Sequence, residues 1–222
     1  MSIARDRILF QDDHLLVVNK LASELVVAGS GEGGKLPLYD FLRKDYPGLR
    51  VLHRLDFGTS GILVFARSAE AHRIVREGKF RGWQKCYVAL VAGKMERKDG
   101  VIEKPLRART HDTLIPAVTR YRVLAKFPEA TYVEACIETG RKHQIRQHFA
   151  SIGHPLLLDP LYGDRKKDSA FRRRLHYRRF FLHASSLVFP HPLDGKVLKI
   201  TAPLPAPFLT ALQVLGLGGK YH

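Results

Sequence analysis

The stretch VLHRLDFGTSGILVFARS, from Val51 to Ser68, places a single carboxylate at the entrance to a strand. The apolar run from Ile62 to Ala66 predicts a buried strand, and a Thr-Ser-Gly turn precedes it. Asp56 lies ahead of that turn, two residues after Arg54. Such an acid is either half of a structural ion pair or a reactive carboxylate that is kept ionised.

Outward from this stretch, the sequence predicts short elements joined by turns. Apolar and period-two patterns predict strands over Ile8–Phe10, Leu15–Val18, Lys85–Ala92, Val118–Lys126, Thr131–Thr139, Leu182–Phe189 and Val197–Thr201. Start and stop signals predict helices over Leu38–Asp45, Ser68–Glu77, His143–Ile152 and Pro207–Gly216. Most connections are too short for crossover helices, which favours an α+β fold with a largely antiparallel, mixed central sheet flanked by helices and loops.

The chain carries 37 Lys and Arg against 21 Asp and Glu, a net charge of +16 over 222 residues. This excess favours a polyanionic partner, because each phosphate that a cation neutralises releases counterions. No basic amphipathic helix with an aromatic apolar face stands out, so a membrane surface is disfavoured. We therefore expect a nucleic-acid partner.

The N-terminus and the cysteines indicate a compartment. Asp6, Asp12 and Asp13 interrupt the first residues, which excludes a signal peptide, and no apolar run approaches transmembrane length. Cys86 and Cys136 are far apart and form no C-x-x-C pair, which disfavours zinc and redox chemistry. Both fall in predicted strands, so we expect buried free thiols in a reducing, cytoplasmic compartment.

The glycine-rich segment Gly29–Lys35 matches two nucleotide-binding patterns only in part. Its glycines satisfy G-x-G-x-x-G, and the segment nearly satisfies the phosphate-loop pattern. However, Leu36 stands where the phosphate loop needs Ser or Thr for magnesium, and Pro37 intrudes where the dinucleotide motif opens a helix. We interpret the segment as a flexible loop.

Half of the excess positive charge lies between Arg141 and Phe181, which contain eleven Lys and Arg residues and three Asp. The first part clusters basic residues at the N-terminus of a predicted helix, where backbone N–H groups favour anions. The second part, RKKDSAFRRRLHYRRFF (Arg165–Phe181), interleaves arginine with aromatic residues. A solvated helix face is the alternative, but the pattern favours contact with an RNA backbone by Arg172, Arg173, Arg174 and Arg178.

Three segments together resemble a known family. They are HRLDFGTSGILVFARS, KCYVALVAGK and TGRKHQIRQHFASIGHPLLLDPLYGD, in this order. They are similar to the motifs of the RluA/RsuA-type pseudouridine synthases, specifically the RluA-like branch, and the similarity runs from about Ile8 to Pro203. The resemblance implies a pseudouridine synthase fold in a single catalytic domain, residues 1–222 with a core of about 8–203, without the S4-like RNA-binding domain of many relatives.

The same resemblance implies a reaction and a set of residues. The reaction is isomerisation of uridine to pseudouridine in structured RNA, either tRNA or rRNA, by a monomer that uses no cofactor and no metal. Asp56 matches the catalytic aspartate of glycosidic bond cleavage, and Arg146 matches its basic partner, which would favour the ionised carboxylate. Tyr87 matches the residue that packs on the uracil and takes part in proton removal, although a tyrosine in a strand is by itself typical of core packing. Further substrate contacts are expected from His53, Arg54, Thr59, Arg141, Lys142, His143 and Gln144.

Two other functions remain open on the sequence alone. A glycosidic hydrolase needs a second carboxylate roughly 5–9.5 Å from the first, and none lies near Asp56 in the sequence. A non-catalytic RNA-binding protein would keep the basic surface without needing Asp56. Departures from the family pattern at Leu21–Glu24, Phe57-Gly58 and Leu158 leave the rim of the cleft, and hence substrate choice, undetermined.

Overall fold

The computed structural model of the protein describes residues 3–28, 36–108 and 113–217. Within these ranges the strands are β1 (Ile8–Gln11), β2 (Leu15–Lys20), β3 (Arg50–Val51), β4 (Ser60–Ala66), β5 (Gln84–Ala92), β6 (Asp99–Ile102), β7 (Leu106–Arg107), β8 (Leu114–Ile115), β9 (Thr119–Lys126), β10 (Ala130–Ile137), β11 (Leu182–Pro190) and β12 (Val197–Thr201). The helices are α1 (Leu38–Leu42), α2 (Ala69–Glu77), α3 (Gln144–Ser151), α4 (Arg165–Leu175) and α5 (Ala206–Leu215). The glycine-rich segment Gly29–Lys35 lies outside the described residues.

The chain forms two compact units. The first contains Met1–Gln84 and Ala184–Pro203, and the second contains Lys85–His183 and Leu204–His222. Neighbouring strands inside each unit pair in antiparallel fashion. The predicted α+β class is thereby confirmed, whereas the single-domain organisation of residues 1–222 stays a prediction.

In the first unit, β4 pairs with β2 and with the short β3, and β2 also pairs with β1. All seven residues of β4 are buried, as its apolar run predicts. Leu63 and Phe65 of this strand pack in one apolar cluster with Leu16 of β2 and Leu42 of α1. This packing fixes where the stretch that precedes β4 enters the sheet.

In the second unit, β5 pairs with β10, β10 with β9 and β9 with β6. Helix α5 covers one face, because the Phe208 ring lies 5.9 Å from the ring of Tyr132 and 5.5 Å from that of Phe181. Tyr132 is therefore buried, although the alternation of β10 places it on the opposite face from the buried Val133. The period-two burial pattern holds only in the second half of the strand.

Local signals set several helix ends. The Ser68 Oγ accepts a hydrogen bond from the Ala71 N–H at 3.1 Å and so caps α2, as predicted. Helix α5 follows Pro205 and ends at Gly216, whose φ of 103° is left-handed. Helix α1 ends earlier than expected, at Leu42. Within the described ranges, every helix is too short or too polar to cross a membrane.

The expectation of free thiols is wrong. Cys86 and Cys136 lie directly opposite each other in the antiparallel β5–β10 pair, with Cα atoms 4.1 Å apart, and they form a disulfide. The two residues are 50 positions apart in sequence, and only the register of the strands brings them together. The inference of a reducing compartment from free thiols therefore loses its support.

Candidate active site

Asp56 lies in an irregular segment between β3 and β4, at the first position of a tight turn. The Thr59 N–H donates to the Asp56 carbonyl oxygen at 3.0 Å and closes this turn. Asp56 is half-buried, and the neighbouring Arg54 is exposed. The turn therefore holds the Asp56 backbone at the edge of a fully buried strand.

A lysine that the sequence analysis did not single out clamps this turn. Lys20, at the end of β2, is fully buried. Its Nζ donates to the carbonyl oxygens of Thr59 at 2.7 Å, Phe57 at 3.4 Å and Leu21 at 2.9 Å. Three carbonyl groups on two chain segments thus converge on one ammonium, which fixes the backbone on the C-terminal side of Asp56.

The ammonium of Lys20 is also sensitive to its surroundings. Burial lowers the pKa of Lys20 from 10.5 to about 8, because the charged form loses its hydration. The negative charges of Glu24 and Asp56 act in the opposite direction and raise this pKa. Lys20 therefore interacts electrostatically with the predicted catalytic acid.

The predicted Thr-Ser-Gly turn is wrong in position, because the turn closes between Asp56 and Thr59 and the strand begins at Ser60. Gly61, the second residue of β4, is required by space and by backbone conformation. Its φ is 105°, and a Cβ atom at this position would lie 2.3 Å from the Ala184 carbonyl oxygen. The backbones of β4 and β11 therefore approach each other more closely than any side chain would allow. The motif glycine is explained by this contact.

His53 and Thr59, two of the predicted substrate contacts, are packed within the first unit. The Val64 N–H donates to the His53 Nε2 at 3.2 Å, and the His53 ring meets the Trp83 ring edge-on at 5.8 Å. Thr59 is only 2% exposed. These contacts give both residues a role in building the turn, and their contact with RNA stays a prediction.

The predicted basic residue of the site, Arg146, has a carboxylate partner in its own unit. Its Nε donates to Asp159 Oδ2 at 2.7 Å and its Nη2 to Oδ1 at 2.8 Å, and the two side chains are 4% and 0% exposed. Asp159 Oδ1 also accepts the N–H groups of Leu161 and Tyr162. A bidentate pair whose carboxylate also accepts further hydrogen bonds is the arrangement in which a buried ion pair is stable. Asp159 is not among the site residues predicted from the sequence.

Aromatic rings enclose the Arg146 guanidinium. Its Cζ lies 4.3 Å from the ring centroid of Phe180 and 5.2 Å from that of Tyr162. The Tyr162 hydroxyl lies 3.1 Å from Nδ1 of His143, which precedes α3 in a left-handed conformation. Cation–π contacts add to the ion pair and orient the guanidinium plane.

Gln144 is another predicted substrate contact, and its side-chain amide makes four hydrogen bonds within the second unit. Its Oε1 accepts from the Thr139 hydroxyl at 2.7 Å and from the Arg141 N–H at 3.0 Å. Its Nε2 donates to the Val118 carbonyl at 2.9 Å and to the Thr119 hydroxyl at 3.2 Å. Because a side-chain amide offers two donors and two acceptor positions, Gln144 is fully engaged in tying the start of β9 to the start of α3.

His148, one turn further along α3, continues this network. Its Nε2 donates to the Lys104 carbonyl at 2.9 Å, so Nδ1 is the acceptor for the Thr119 hydroxyl at 2.9 Å. Burial lowers the pKa of His148, which keeps the ring neutral at neutral pH. With both nitrogens engaged it is unsuited to bind a metal, and the described residues contain no group of three or more His, Cys, Asp or Glu side chains placed to hold one.

Tyr87 is buried in β5, opposite Ala135 of β10. Lys85, two residues earlier, shares its face of the strand, and burial lowers the pKa of Lys85. Lys85 is not among the site residues predicted from the sequence. Asp56 belongs to the first unit, whereas Tyr87 and Arg146 belong to the second, so the assembly of all three in one cleft and the Asp56–Arg146 pair stay predictions.

The arginine run forms an amphipathic helix, α4, and the segment after it. Phe171 and Leu175 are buried in the apolar cluster of the second unit. The exposed residues are Arg172, Arg173, Arg174 and Arg178, and Arg174 pairs with Glu129 at 3.4 Å. Arg141 and Lys142 are likewise exposed, ahead of α3. The contact of these residues with RNA stays a prediction.

Comparison with known sequences identifies the family. A family model described as RNA pseudouridylate synthase matches residues 14–151, more than half of the chain. The chain is 40% identical over 215 residues to ribosomal large subunit pseudouridine synthase C of Vibrio cholerae, with 92% of this chain and 68% of that protein covered. It is 39% identical over 224 residues to ribosomal large subunit pseudouridine synthase D of Nitrosomonas europaea, with 94% and 65% covered.

Solved structures agree with the sequence comparison. Human RNA Pseudouridylate Synthase Domain Containing 4 matches with a TM-score of 0.76 at 27% identity, over 94% of this chain and 92% of that one. Human RNA Pseudouridylate Synthase Domain Containing 1 matches with a TM-score of 0.75 at 27% identity, over 92% and 87%. The chain spans about two thirds of the length of the two bacterial relatives. From its sequence motifs, its fold and these matches, the chain belongs to the RNA pseudouridylate synthase family of isomerases.

Proposed function

We propose that this protein converts uridine to pseudouridine in structured RNA, with Asp56 as the reacting carboxylate. In this reaction the N1–C1′ bond of uridine breaks, the uracil turns within the site, and a C5–C1′ bond forms. The proton at C5 leaves to solvent and N1 takes up a proton, so the atoms balance and no cofactor is consumed. Family membership supports the reaction.

The clamped turn at Asp56 is the observation that carries this proposal. Lys20 and the Thr59 N–H fix the backbone around Asp56, which is itself only half-buried. A carboxylate held in this way is oriented before the substrate arrives, which lowers the entropic part of the barrier.

Residues of the second unit complete the proposed site. Arg146, oriented by Asp159 and by Phe180, supplies the cation that we expect opposite Asp56. Tyr87 supplies a flat apolar surface on which a detached uracil can stack, and this stacking limits escape of the base. Lys85, on the same face as Tyr87, adds a titratable group next to the site of proton removal.

Exposed basic residues provide the binding surface. A target nucleotide must leave its helix or loop at a cost of roughly a few kcal/mol, and phosphate contacts can offset this cost. Arg141 and Lys142 ahead of α3, and the arginines of α4, are exposed and suited to such contacts. Arg54 is exposed beside Asp56 and suited to occupy the space of the extruded base.

We propose large-subunit ribosomal RNA as the first substrate class, with tRNA as the alternative. The support is that two relatives, at 40% and 39% identity, are named ribosomal large subunit pseudouridine synthases. Mapping of pseudouridines in a strain that lacks this gene tests the assignment. Loss of a modification in tRNA alone would replace ribosomal RNA with tRNA.

The decisive assay measures tritium release from RNA that contains uridine tritiated at C5. The wild type is expected to release tritium, and Asp56→Asn is expected to lose at least about a thousandfold in rate, about 4 kcal/mol of transition-state stabilisation. Circular dichroism and RNA affinity of Asp56→Asn should match the wild type. An active Asp56→Asn variant would refute the proposed role.

The same assay separates the two other functions. A hydrolase would release free uracil and leave an abasic site, whereas an isomerase retains the base in the RNA. A non-catalytic RNA-binding protein would bind RNA and release no tritium.

We further propose that the protein acts as a monomer in the cytoplasm, which size-exclusion chromatography with light scattering and cell fractionation would test.

A further inference from the structure

Asp168 is a buried acid on the arginine-rich helix α4. It is 4% exposed and shares its helix face with Phe171 and Leu175, which pack in the apolar cluster of the second unit. Arg172, Arg173 and Arg174, on the same helix, are exposed. An acid on the buried face of a basic helix is costly unless it satisfies a specific partner.

The partner of Asp168 is the backbone of Leu158. Its Oδ1 accepts the Leu158 N–H at 2.9 Å. Leu158 has a φ of 65°, in the left-handed region that favours glycine, and its side chain is fully buried in the same apolar cluster as Phe171. A leucine keeps this conformation only where its surroundings impose it, and here Asp168 and the apolar cluster hold it from two sides.

The residue after Leu158 is Asp159, the carboxylate that binds Arg146. The segment from Leu158 to Gly163 folds back on itself, because the Gly163 N–H donates to the Asp159 carbonyl at 2.9 Å. A Cβ atom on Gly163 would lie 2.5 Å from that carbonyl oxygen and 2.8 Å from Asp168 Oδ2. Asp168 therefore binds one end of the loop, at Leu158, and leaves no room for a side chain at the other end, at Gly163.

We infer that Asp168 is a positioning residue, which fixes the Leu158–Gly163 loop and so sets the orientation of the Asp159–Arg146 pair. This inference rests on the proposed function, in which Arg146 is the cation of the active site. It also links the surface proposed to bind RNA to the catalytic arginine, because the same helix carries the exposed arginines and Asp168.

The electrostatics of Asp168 agree with a positioning role. Burial raises the pKa of Asp168, and the nearby charges of Asp159 and Asp164 raise it further. The Leu158 N–H and the charge of Arg172 act in the opposite direction. The Leu158 hydrogen bond is thus one of the two interactions that favour the charged carboxylate in an otherwise unfavourable place.

The first test compares Asp168→Ala with Asp168→Asn. Alanine removes the acceptor for the Leu158 N–H, whereas the asparagine oxygen can still accept it. Single-turnover tritium release by Asp168→Ala should fall about tenfold to a hundredfold, because the Arg146 guanidinium is misplaced, with the Kd for the RNA transcript unchanged. Asp168→Asn should restore most of the rate. Equal rates for alanine and wild type, or equal defects for alanine and asparagine, would overturn the inference.

A second variant keeps the test valid if Asp168→Ala does not fold. Gly163→Ala leaves Asp168 in place but inserts a methyl group between the loop and the carboxylate. It should produce the same signature, a lower rate at unchanged RNA affinity. Leu212→Ala, in the same apolar cluster on α5, is the matched control for lost stability alone. A similar rate loss in Leu212→Ala, at a temperature where it is folded, would also overturn the inference.

Hydrogen exchange distinguishes failure of this inference from failure of the proposed function. The Leu158 amide should exchange faster in Asp168→Ala and at the wild-type rate in Asp168→Asn, whatever the reaction is. If the wild type releases no tritium, the proposed function fails, and if Asp56→Asn and Arg146→Ala both keep full turnover, the catalytic roles of these two residues fail. If they lose turnover but the Leu158 amide is unchanged in Asp168→Ala, only the role of Asp168 fails.

Discussion

The two units stabilise a buried charge in different ways. In the first unit the buried Lys20 ammonium binds the turn that carries Asp56, whereas in the second unit the buried Asp159 carboxylate binds Arg146. Lys20 donates to the carbonyls of Phe57 and Thr59 in the Asp56 turn and to that of Leu21, and none of these three acceptors carries a formal charge. Arg146 binds Asp159 in a closed bidentate pair. Carbonyl dipoles compensate a buried charge less completely than a carboxylate does. The stability of the first region should therefore depend on pH between about 8 and 10.5, and that of the second should fall when either partner is removed.

The largest expected difference is in stability, between Arg146→Ala and Asp56→Asn. Arg146→Ala leaves Asp159, which is 1% exposed, as an uncompensated buried charge and should cost about 3–5 kcal/mol of unfolding free energy. Asp56→Asn alters a half-buried side chain at the mouth of β4 and should cost much less. Urea denaturation of both variants measures the difference. Equal losses of unfolding free energy in the two variants would contradict the proposed difference between the Arg146–Asp159 pair and the Asp56 turn.

The next effect is the pH dependence of Lys20. Its pKa is about 8 in the folded state and 10.5 in the unfolded state. Stability from this group is therefore fully present above pH 10.5 and is lost as the pH falls through 8. Relative to Lys20→Met, the wild type should gain about 2–3 kcal/mol between pH 7 and pH 10.

Denaturation of the wild type and Lys20→Met at several pH values gives this difference directly, because other titrations cancel. Lys199→Met, at an exposed position of β12, is the matched control. A difference between wild type and Lys20→Met that stays constant from pH 7 to pH 10 would show that the Lys20 ammonium is not desolvated.

A smaller effect is expected from the neutral network of the second unit. Gln144→Ala removes the acceptor of the Arg141 N–H and one of the two donors to the Val118 carbonyl, which keeps the Glu138 N–H, and should cost about 1–3 kcal/mol. Gln147→Ala, on the same helix as Gln144, is the matched control. It removes one exposed hydrogen bond, from the Gln147 side chain to the Lys142 carbonyl. If thermal melts of the two variants coincide, the four bonds of Gln144 do not stabilise the fold.

The smallest effect on stability is expected on the surface of α4. Replacement of Arg172, Arg173 and Arg174 by glutamine should change stability by less than about 0.5 kcal/mol. The slope of log Kd for RNA against log salt should fall by about 2, because up to three phosphate contacts are lost. Replacement of Arg120 and Arg122, which are exposed but paired with Glu138 and Glu134, is the control. An unchanged slope in the α4 variant would place RNA binding on another surface.

Most elements were predictable because their signals are local. The apolar run before Ala66 predicts a buried β4, and Ser68 at the next boundary predicts the cap of α2. The motif residues Asp56, Tyr87 and Arg146 could be selected from resemblance, since their segments follow one another in a fixed order. Their predicted meeting in one cleft is not a local property, and it stays a prediction.

The partners of these residues could not be predicted, because they are distant in sequence. Lys20 meets the Thr59 carbonyl across 39 positions, and Cys86 meets Cys136 across 50. No periodicity encodes which carbonyl or thiol the fold brings within reach. The wrong prediction of free thiols shows this. Both cysteines were correctly predicted to lie in strands, but the local sequence pattern does not encode the register that places them opposite each other.

The sequence by itself determined the α+β class, the family and the identity of the candidate catalytic residues, because these depend on residue order and local pattern. Only the tertiary structure decided that Lys20 clamps the Asp56 turn, that Asp159 binds Arg146 and that Asp168 supports the left-handed Leu158. The physical reason is that the energy of a buried charge depends on the few atoms within about 3 Å of it in a medium of low dielectric constant. Those atoms come from segments that only folding brings together.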